Sequence, residues 1–183
     1  IYSDDPNWVP PLIIERKEAF SPKHPYHRHA DWCAWMAYRD GHPVGRISAQ
    51  IDHLHQQRYD NKTGFFGLIE APDDADVFKA LFETAEDWLR DRGMRQVLGP
   101  FNLGINQEIG ILVDGFETPP YVMMGHSPPY YDSAIENCGY RKSQDLLAYE
   151  MDNNTLTIPR VMQALIDRSA KRVNVRFLRH RRS

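Results

Sequence analysis

The chain has 183 residues, of which 42% are hydrophobic, and its formal net charge is −3. This length suits one ordinary domain, or one domain and part of another, and the apolar share excludes wholesale disorder. No apolar run approaches the ~18 residues of a membrane span and no signal-peptide pattern opens the chain, so neither a membrane partner nor export is expected. Two cysteines are too few for a disulfide framework, which predicts free thiols in the cytoplasm.

Charge is distributed unevenly along the chain. Residues 1–159 carry 14 Lys and Arg against 24 Asp and Glu, whereas residues 160–183 carry 8 against 1. A basic tail on an acidic body is typical either of nucleic-acid binding or of a boundary before a further piece of protein. The tail has few aromatic residues for base stacking and the acidic body would repel phosphate, which favours the boundary.

The first half of the chain predicts strands, in the following order. Prolines block regular pairing in the first thirty residues, which predicts an extended segment with at most a short helix near Ile13–Ala19. Asp40-Gly41 is a strong hairpin signal and predicts that Trp32–Tyr38 and Val44–Ile51 pair as antiparallel strands. A polar stretch then leads to a third strand over Thr63–Glu70.

The second half predicts alternating helices and strands. Apolar residues at three- and four-residue steps predict a helix over Asp74–Arg92, with an aspartate at its N-cap. The remaining predicted elements are a strand over Arg95–Phe101, a helix over Pro129–Cys138, a strand over Asp145–Met151, a helix over Thr157–Arg172 and a strand over Val173–Leu178. This order predicts a mixed α/β domain.

Eight histidines raise the question of a metal site. The i, i+2 pairs His27/His29 and His53/His55 would each place both rings on one side of a strand. A zinc site needs three or four converging ligands, and Cys33 is the only thiol nearby, so solvated histidines are favoured and no metal is expected. Cys33 and Cys138 are predicted to be small buried residues rather than nucleophiles.

Three sequence motifs, taken in chain order, resemble those of a known family. They are the hairpin around Asp40–Gly45, the strand and helix over Phe65–Arg92, and Ala134–Tyr140, a helix that ends at a glycine followed by an aromatic residue. Together they resemble the GCN5-related acetyltransferase (GNAT) superfamily over residues 30–151. The motifs Asp4–Pro11 and Gly99–Asn102 also resemble the first half of bacterial proteins with two GNAT-like halves.

The resemblance implies a GNAT-like α/β fold, in which helices flank a mixed central sheet. It divides the chain into an extended N-terminal segment (1–30), a GNAT-like domain (31–151), and a linking helix with a basic tail (152–183) that starts a second half. It implies transfer of an acyl group from acyl-CoA, or from another acyl carrier such as aminoacyl-tRNA, to a small-molecule amine or hydroxyl. The second half, or a second copy in a homodimer, is the implied protein partner. The implied acyl-CoA site consists of Leu68, Ile69, Glu70 and Ala75.

Two departures from the family pattern keep an alternative open. The family's glycine-rich loop, whose N–H groups approach the CoA pyrophosphate, is here the glycine-free stretch Glu70–Asp76, whose four acids have no base beside them and would repel a diphosphate. The place of the family's general-acid tyrosine is taken by Ile135, which leaves Tyr130 and Tyr131 as the catalytic candidates. The alternative is a non-catalytic GNAT-like module that binds a ligand or partner in the cleft.

A polar, glycine-rich loop over Gly99–Glu117 supplies the other candidates. In the GNAT layout it follows the strand that opens the substrate cleft, so Glu108 is the candidate general base, and Asn102 and Asn106 are candidates to orient the acceptor. The aromatic stretches that follow add Tyr121 and His126 as candidate substrate-binding walls. Equally, the asparagines and glycines of this loop could supply only turn geometry.

Overall fold

A four-stranded mixed sheet, in the order β1-β2-β3-β4, forms the centre of the chain in this computed structural model, which describes residues 1–152, 154 and 157–173. The strands are β1 (Ala30–Arg39), β2 (His42–Asp52), β3 (Thr63–Glu70) and β4 (Gln96–Leu98). The first three pair antiparallel, and β4 pairs parallel with β3. The predicted hairpin and third strand are confirmed.

The hairpin turn shows why its sequence signal is reliable. Asp40 and Gly41 have φ angles of 51° and 79°. A two-residue turn that matches the strand twist needs both central residues in this left-handed region, which Asp-Gly tolerates.

The helices of the first part of the chain are short except for one. They are α1 (Ile13–Ala19), α2 (His53–Tyr59), α3 (Ala75–Arg90) and α4 (Tyr131–Asn137), and a 3₁₀ turn lies at Pro25–Arg28. At the start of α3, Asp74 Oδ1 accepts hydrogen bonds from the N–H groups of Asp76 (3.0 Å) and Val77 (3.3 Å), which confirms the predicted cap. Helices and sheet together form the predicted mixed α/β architecture, compatible with a GNAT-like fold.

The apolar side of α3 covers one face of the sheet. Its buried residues are Val77, Phe78, Leu81, Phe82, Ala85 and Leu89, and they join one core cluster with Ile47, Ala49, Ile51 and Phe66. On β2 these partners alternate with residues of the opposite face, as the two-residue period of a strand requires. α4 contributes Tyr131 and Ile135 to the same core.

The opposite face is covered by loops rather than by a helix. Gln50 of β2 is fully buried there, and its Nε2 donates to the carbonyl oxygens of Phe101 (2.7 Å) and Leu103 (3.2 Å). A Cβ at Gly67 would lie 1.8 Å from the Phe101 oxygen, so only glycine allows this loop to cross β3. The loop after β4 is thereby held directly on the sheet.

Three predicted elements are corrected. The polar stretch after β2 contains α2, because Asp52 Oδ1 caps it by accepting from the N–H groups of Leu54 (2.9 Å) and His55 (3.2 Å). β4 is shorter than predicted, since Pro100 has no N–H with which to continue a ladder. Residues 145–151 form no strand, because a strand needs a pairing partner and none of the residues described offers one.

The chain divides into two compact units, residues 1–145 and 146–183. The helix α5 (Arg160–Ala170) lies in the second unit, in agreement with the predicted helix over this region. Most of the predicted final strand, together with the end of the basic tail, lies outside the described residues. No described helix combines the length and hydropathy needed to cross a bilayer.

Candidate functional site

A cleft of about 790 Å³ opens beside the end of β3. Five stretches of the first unit line it: the N-terminal segment as far as Arg16, the start of β2, the end of β3, and the loops over 100–111 and 120–127, together with Met36 of β1 and Tyr131 of α4. Pairing between β3 and β4 ends at Phe65 and Leu98, so the later part of β3 borders these loops instead of a regular neighbouring strand.

Glu70, the last residue of β3, lines the cleft. Its Oε2 accepts hydrogen bonds from the hydroxyl groups of Tyr2 (2.8 Å) and Tyr131 (2.9 Å), and its Oε1 lies 3.5 Å from Arg46 Nη2. Burial, followed by the Glu70 carboxylate, raises the pKa of both tyrosines well above the usual range. Both phenols therefore keep their protons near neutral pH.

Two adjacent tyrosines hold the residue that follows β3. The Tyr131 hydroxyl accepts from the N–H of Ala71 (3.0 Å), and the Tyr130 hydroxyl donates to the Ala71 carbonyl oxygen (2.8 Å). Burial raises the pKa of Tyr130 to about 12. Ile135, at the place of the family's acidic tyrosine, is buried in the core. The geometry gives Tyr130 and Tyr131 a role in positioning the end of β3, and their predicted catalytic role stays a prediction.

Glu108 is held by two protein donors. Arg16 Nη2 donates to both Glu108 carboxylate oxygens at 2.8 Å, and Asn102 Nδ2 donates to Oε2 at 2.8 Å. Asn102 Oδ1 in turn accepts from the N–H of Leu68 (2.7 Å). Leu68 has a φ of 49°, where β3 carries one extra residue relative to β2. A left-handed leucine costs roughly 1–3 kcal/mol, and this network holds it in place.

His126 forms a buried pair with Asp5. Its side chain is 6% exposed, and its Nε2 lies 2.6 Å from Asp5 Oδ2. Because an ionised carboxylate only accepts hydrogen bonds, Nε2 carries the proton, and in the neutral ring Nδ1 is an acceptor. Nδ1 is buried with no hydrogen-bond partner among the described residues, a condition that costs about 1–3 kcal/mol. The hydrogen bond to His126 lowers the pKa of Asp5.

The acids near the start of α3 are less isolated than the sequence suggests. Arg39 Nη1 donates to Asp74 Oδ2 at 2.7 Å, and this hydrogen bond lowers the pKa of Asp74. Arg46 is the cation near Glu70. No base lies near these acids in sequence, but the hairpin strands bring two arginines that are distant in sequence.

The rim of the cleft is strongly apolar. The side chain of Val122 is 92% exposed, and the neighbouring Tyr121, Met123 and Met124 are also exposed. On the N-terminal side, the exposed apolar residues that line the cleft are Ile1, Trp8, Val9 and Leu12. A group of exposed apolar side chains around a cleft is typical of a binding site for an apolar ligand or partner.

Most of the predicted site residues meet at this cleft. Those that line it are Leu68, Ile69, Glu70, Asn102, Glu108, Tyr121, His126 and Tyr131. Ala75 and Asn106 are exposed and lie outside the lining, and Tyr130 also lies outside it.

The sequence analysis missed the contributions of Tyr2, Asp5, Arg16 and Arg46. No spacing rule connects these residues to Glu70, Glu108 or His126. The available signal for Asp5 was the motif Asp4–Pro11, which carries part of the family resemblance, and Tyr2 lies two residues before that motif.

None of the paired histidines lies on a strand, so the i, i+2 spacing does not place the two rings of a pair on one side of a strand. His53 and His55 lie on α2, where Nε2 of His53 is 3.3 Å from Asp31 and Nε2 of His55 is 3.2 Å from Asn61. Within the described part of the chain, no three His, Cys, Asp or Glu side chains are grouped to hold a metal.

The two cysteines are free and only half-buried, not fully buried as predicted. Burial raises the pKa of the Cys138 thiol. Because the thiolate is the nucleophilic form, Cys138 is a poor nucleophile at neutral pH.

Two curated proteins match the chain closely. It is 50% identical over 182 residues to Protein YghO of Escherichia coli (strain K12), which covers 100% of this chain and 47% of that protein. It is 51% identical over 166 residues to a bacterial ceramide synthase of Caulobacter vibrioides (strain NA1000 / CB15N), which covers 90% of this chain and 43% of that protein. The chain thus spans about half the length of these relatives. No protein-family model and no solved structure matches it.

Proposed function

We propose that the protein is a GNAT-like acyltransferase that joins an acyl group to an amine, with a hydroxyl as the second acceptor class. The observation that carries this proposal is the 51% identity to a bacterial ceramide synthase over 90% of the chain. A ceramide is the amide of a fatty acid and a long-chain amino alcohol, so its synthesis is acyl transfer to nitrogen. Because the chain spans about half of that relative, a second half or a second copy of the chain belongs to the proposal as a partner.

The apolar rim supports a substrate that carries a hydrocarbon chain. Tyr121, Val122 and Met123 expose most of their side chains to solvent beside the cleft. Each methylene that such a surface removes from water contributes about 0.8 kcal/mol. A long acyl or alkyl chain would therefore bind far more strongly than a short one.

The acyl donor is proposed to be a thioester, of CoA or of a carrier protein. Arg39 and Arg46 offset two of the acids that argue against a diphosphate. The stretch over 70–76 still contains no glycine that would let backbone N–H groups approach a pyrophosphate closely. The two arginines weaken the argument from charge against CoA, whereas the argument from the missing glycines remains. The identity of the acyl donor is therefore the first question to test.

The test is amide formation by the full-length protein. A long-chain 2-amino alcohol is supplied with hexadecanoyl-CoA or with a hexadecanoyl carrier-protein thioester, and the amide is detected by mass spectrometry. We expect product with one of the two donors. A folded protein that forms neither amide nor ester with both donors would contradict the proposal.

A matched pair of variants tests the role of the rim. Val122→Ser removes an apolar contact at the cleft, whereas Val113→Ser changes an exposed valine outside the lining. We expect Val122→Ser to raise KM severalfold for a hexadecanoyl donor and to leave KM for a hexanoyl donor unchanged. Val113→Ser should change neither, and equal effects of the two variants would speak against a hydrocarbon site.

The second candidate function is the non-catalytic binding module. The ion pair of Glu108 with Arg16 favours it, because this carboxylate already has two donors and serves to connect α1 with the loop. A ligand at 100 times its Kd stabilises a protein by about 2.7 kcal/mol. A module of this kind would show such a rise in Tm with acyl-CoA at millimolar concentration and no amide product.

A further inference from the structure

His126, which lines the cleft, pairs with Asp5 through one ring nitrogen and buries the other without a partner among the described residues. His126 lines the cleft, its Nε2 lies 2.6 Å from Asp5 Oδ2, and its buried Nδ1 has no hydrogen-bond partner among the described residues. We propose that His126 Nδ1 is the general base that takes the proton from the acceptor, with Asp5 as the positioning residue. This inference rests on the proposed acyl transfer.

Of the three glutamates that line the cleft, Glu15 is exposed to solvent, and Glu108 and Glu70 are already engaged. Glu108 accepts from Arg16 and Asn102, and Glu70 accepts from two tyrosine hydroxyl groups. The described residues contain one other buried side-chain polar atom without a partner, Trp32 Nε1, which is a donor and lies outside the lining of this cleft. His126 Nδ1 is therefore the buried acceptor without a partner among the described residues that line this cleft, and an N–H or O–H group that reached it would satisfy it.

The contact with Asp5 fixes the tautomer that the ring of His126 adopts when it is neutral. Asp5 is the charged group in contact with the ring, and the Tyr2 hydroxyl lies 3.4 Å from the His126 carbonyl oxygen. The same hydroxyl donates to Glu70, which places that carboxylate beyond Tyr2. A carboxylate that holds one ring nitrogen protonated leaves the other free to accept a proton, and it stabilises the imidazolium that forms.

In the proposed reaction, His126 moves one proton from an amine acceptor to the sulfur of an acyl thioester. As the amine nitrogen forms a bond to the carbonyl carbon, its proton passes to His126 Nδ1. The tetrahedral intermediate then collapses, the carbon–sulfur bond breaks, and the imidazolium returns the proton to the leaving sulfur. The products are an amide and a thiol, and His126 is neutral again.

The first test compares three variants of the full-length protein in the amide assay. His126→Asn removes the base, Asp5→Asn removes its carboxylate, and His29→Asn is the matched control, because Nδ1 of His29 also faces an aspartate (Asp52, 3.2 Å) but lies outside this cleft. A positioned base contributes 10²- to 10⁴-fold to a rate. We expect His126→Asn to lower kcat by about that factor with KM nearly unchanged, Asp5→Asn to lower it at least ~10-fold, and His29→Asn to stay within ~2-fold.

Two further readouts separate chemistry from folding. Added imidazole should restore part of the rate of His126→Gly, which a merely structural role would not allow. In ¹⁵N NMR spectra of histidine-labelled protein, neutral His126 should carry its proton on Nε2, and Asp5→Asn should weaken that preference. A proton on Nδ1 in the neutral ring would overturn the assignment without reference to activity.

The outcomes distinguish this inference from the function on which it rests. A folded wild-type protein that forms no amide or ester overturns both. An active wild type whose His126→Asn variant keeps its kcat, while Glu108→Gln loses it, overturns the assignment of His126 alone and makes Glu108 the base.

Discussion

One face of the sheet is covered by helices, mainly by α3, whose apolar residues recur at three- and four-residue steps, with α4 beside it. The other face is covered by loops and the N-terminal segment. The first interface contains apolar side chains in a continuous cluster. The second buries polar groups, among them Ser48 and Gln50, and leads into the cleft with its ion pairs. The helix-covered face therefore supplies most of the apolar core, while the loop-covered face carries the polar groups with which a ligand can interact.

The largest expected loss in the free energy of unfolding follows a substitution on the helix-covered face. Phe78 is fully buried between α3 and the sheet, so Phe78→Ala leaves a cavity that the packed neighbours cannot fill. We expect a loss of about 3–5 kcal/mol in the free energy of unfolding, measured by urea denaturation. A loss below ~1 kcal/mol would show that this face is loosely packed and would weaken the contrast between the two faces.

A smaller loss in the free energy of unfolding is expected from a substitution on the loop-covered face. Gln50→Leu keeps the approximate size of the side chain but leaves the Leu103 carbonyl oxygen without its donor, whereas the Phe101 oxygen keeps the N–H of Leu103 (3.0 Å). Buried acceptors without partners cost about 1–3 kcal/mol, and the same denaturation measurement should show that loss. The control is Gln57→Leu on the exposed side of α2, which should change stability by no more than ~0.5 kcal/mol.

The smallest expected effect is the pH dependence of stability that comes from Asp74 at the start of α3. Arg39 lowers the pKa of Asp74 in the folded state, so the unfolded chain binds this proton more tightly. The stabilisation is therefore present above the unfolded pKa of about 4 and is lost as pH falls through the lower folded pKa.

Two variants check this dependence. Asp74→Asn keeps a capping side chain without the charge, and Arg39→Gln removes the cation. Both should flatten the fall in Tm on acidification below about pH 4, and the slope that remains comes from other carboxylates such as Asp5. An unchanged slope in both variants would mean that the pair contributes nothing to folding.

Much of the fold could be predicted because its signals are local. The hairpin depends on Asp40-Gly41, and α3 depends on the period of its apolar residues and on its cap. The errors lie where local signals were weak or absent. Asp52, which caps α2, is also the last residue of β2, and the polar sequence after it gave no clear helix signal. Residues 145–151 have a strand-like pattern but pair with no other described strand.

The sequence alone determined the fold class and the main elements, and most of the site residues that it suggested line the cleft. Periodicity, turn chemistry and an ordered set of family motifs are properties of neighbouring residues. Only the tertiary structure decided what the residues of the cleft do. It brought Arg16 to Glu108, Tyr2 to Glu70 and Asp5 to His126, across separations of 92, 68 and 121 residues. Hydrogen bonds and ion pairs act over a few ångströms in space, and no spacing along the chain records which distant groups the fold will bring that close.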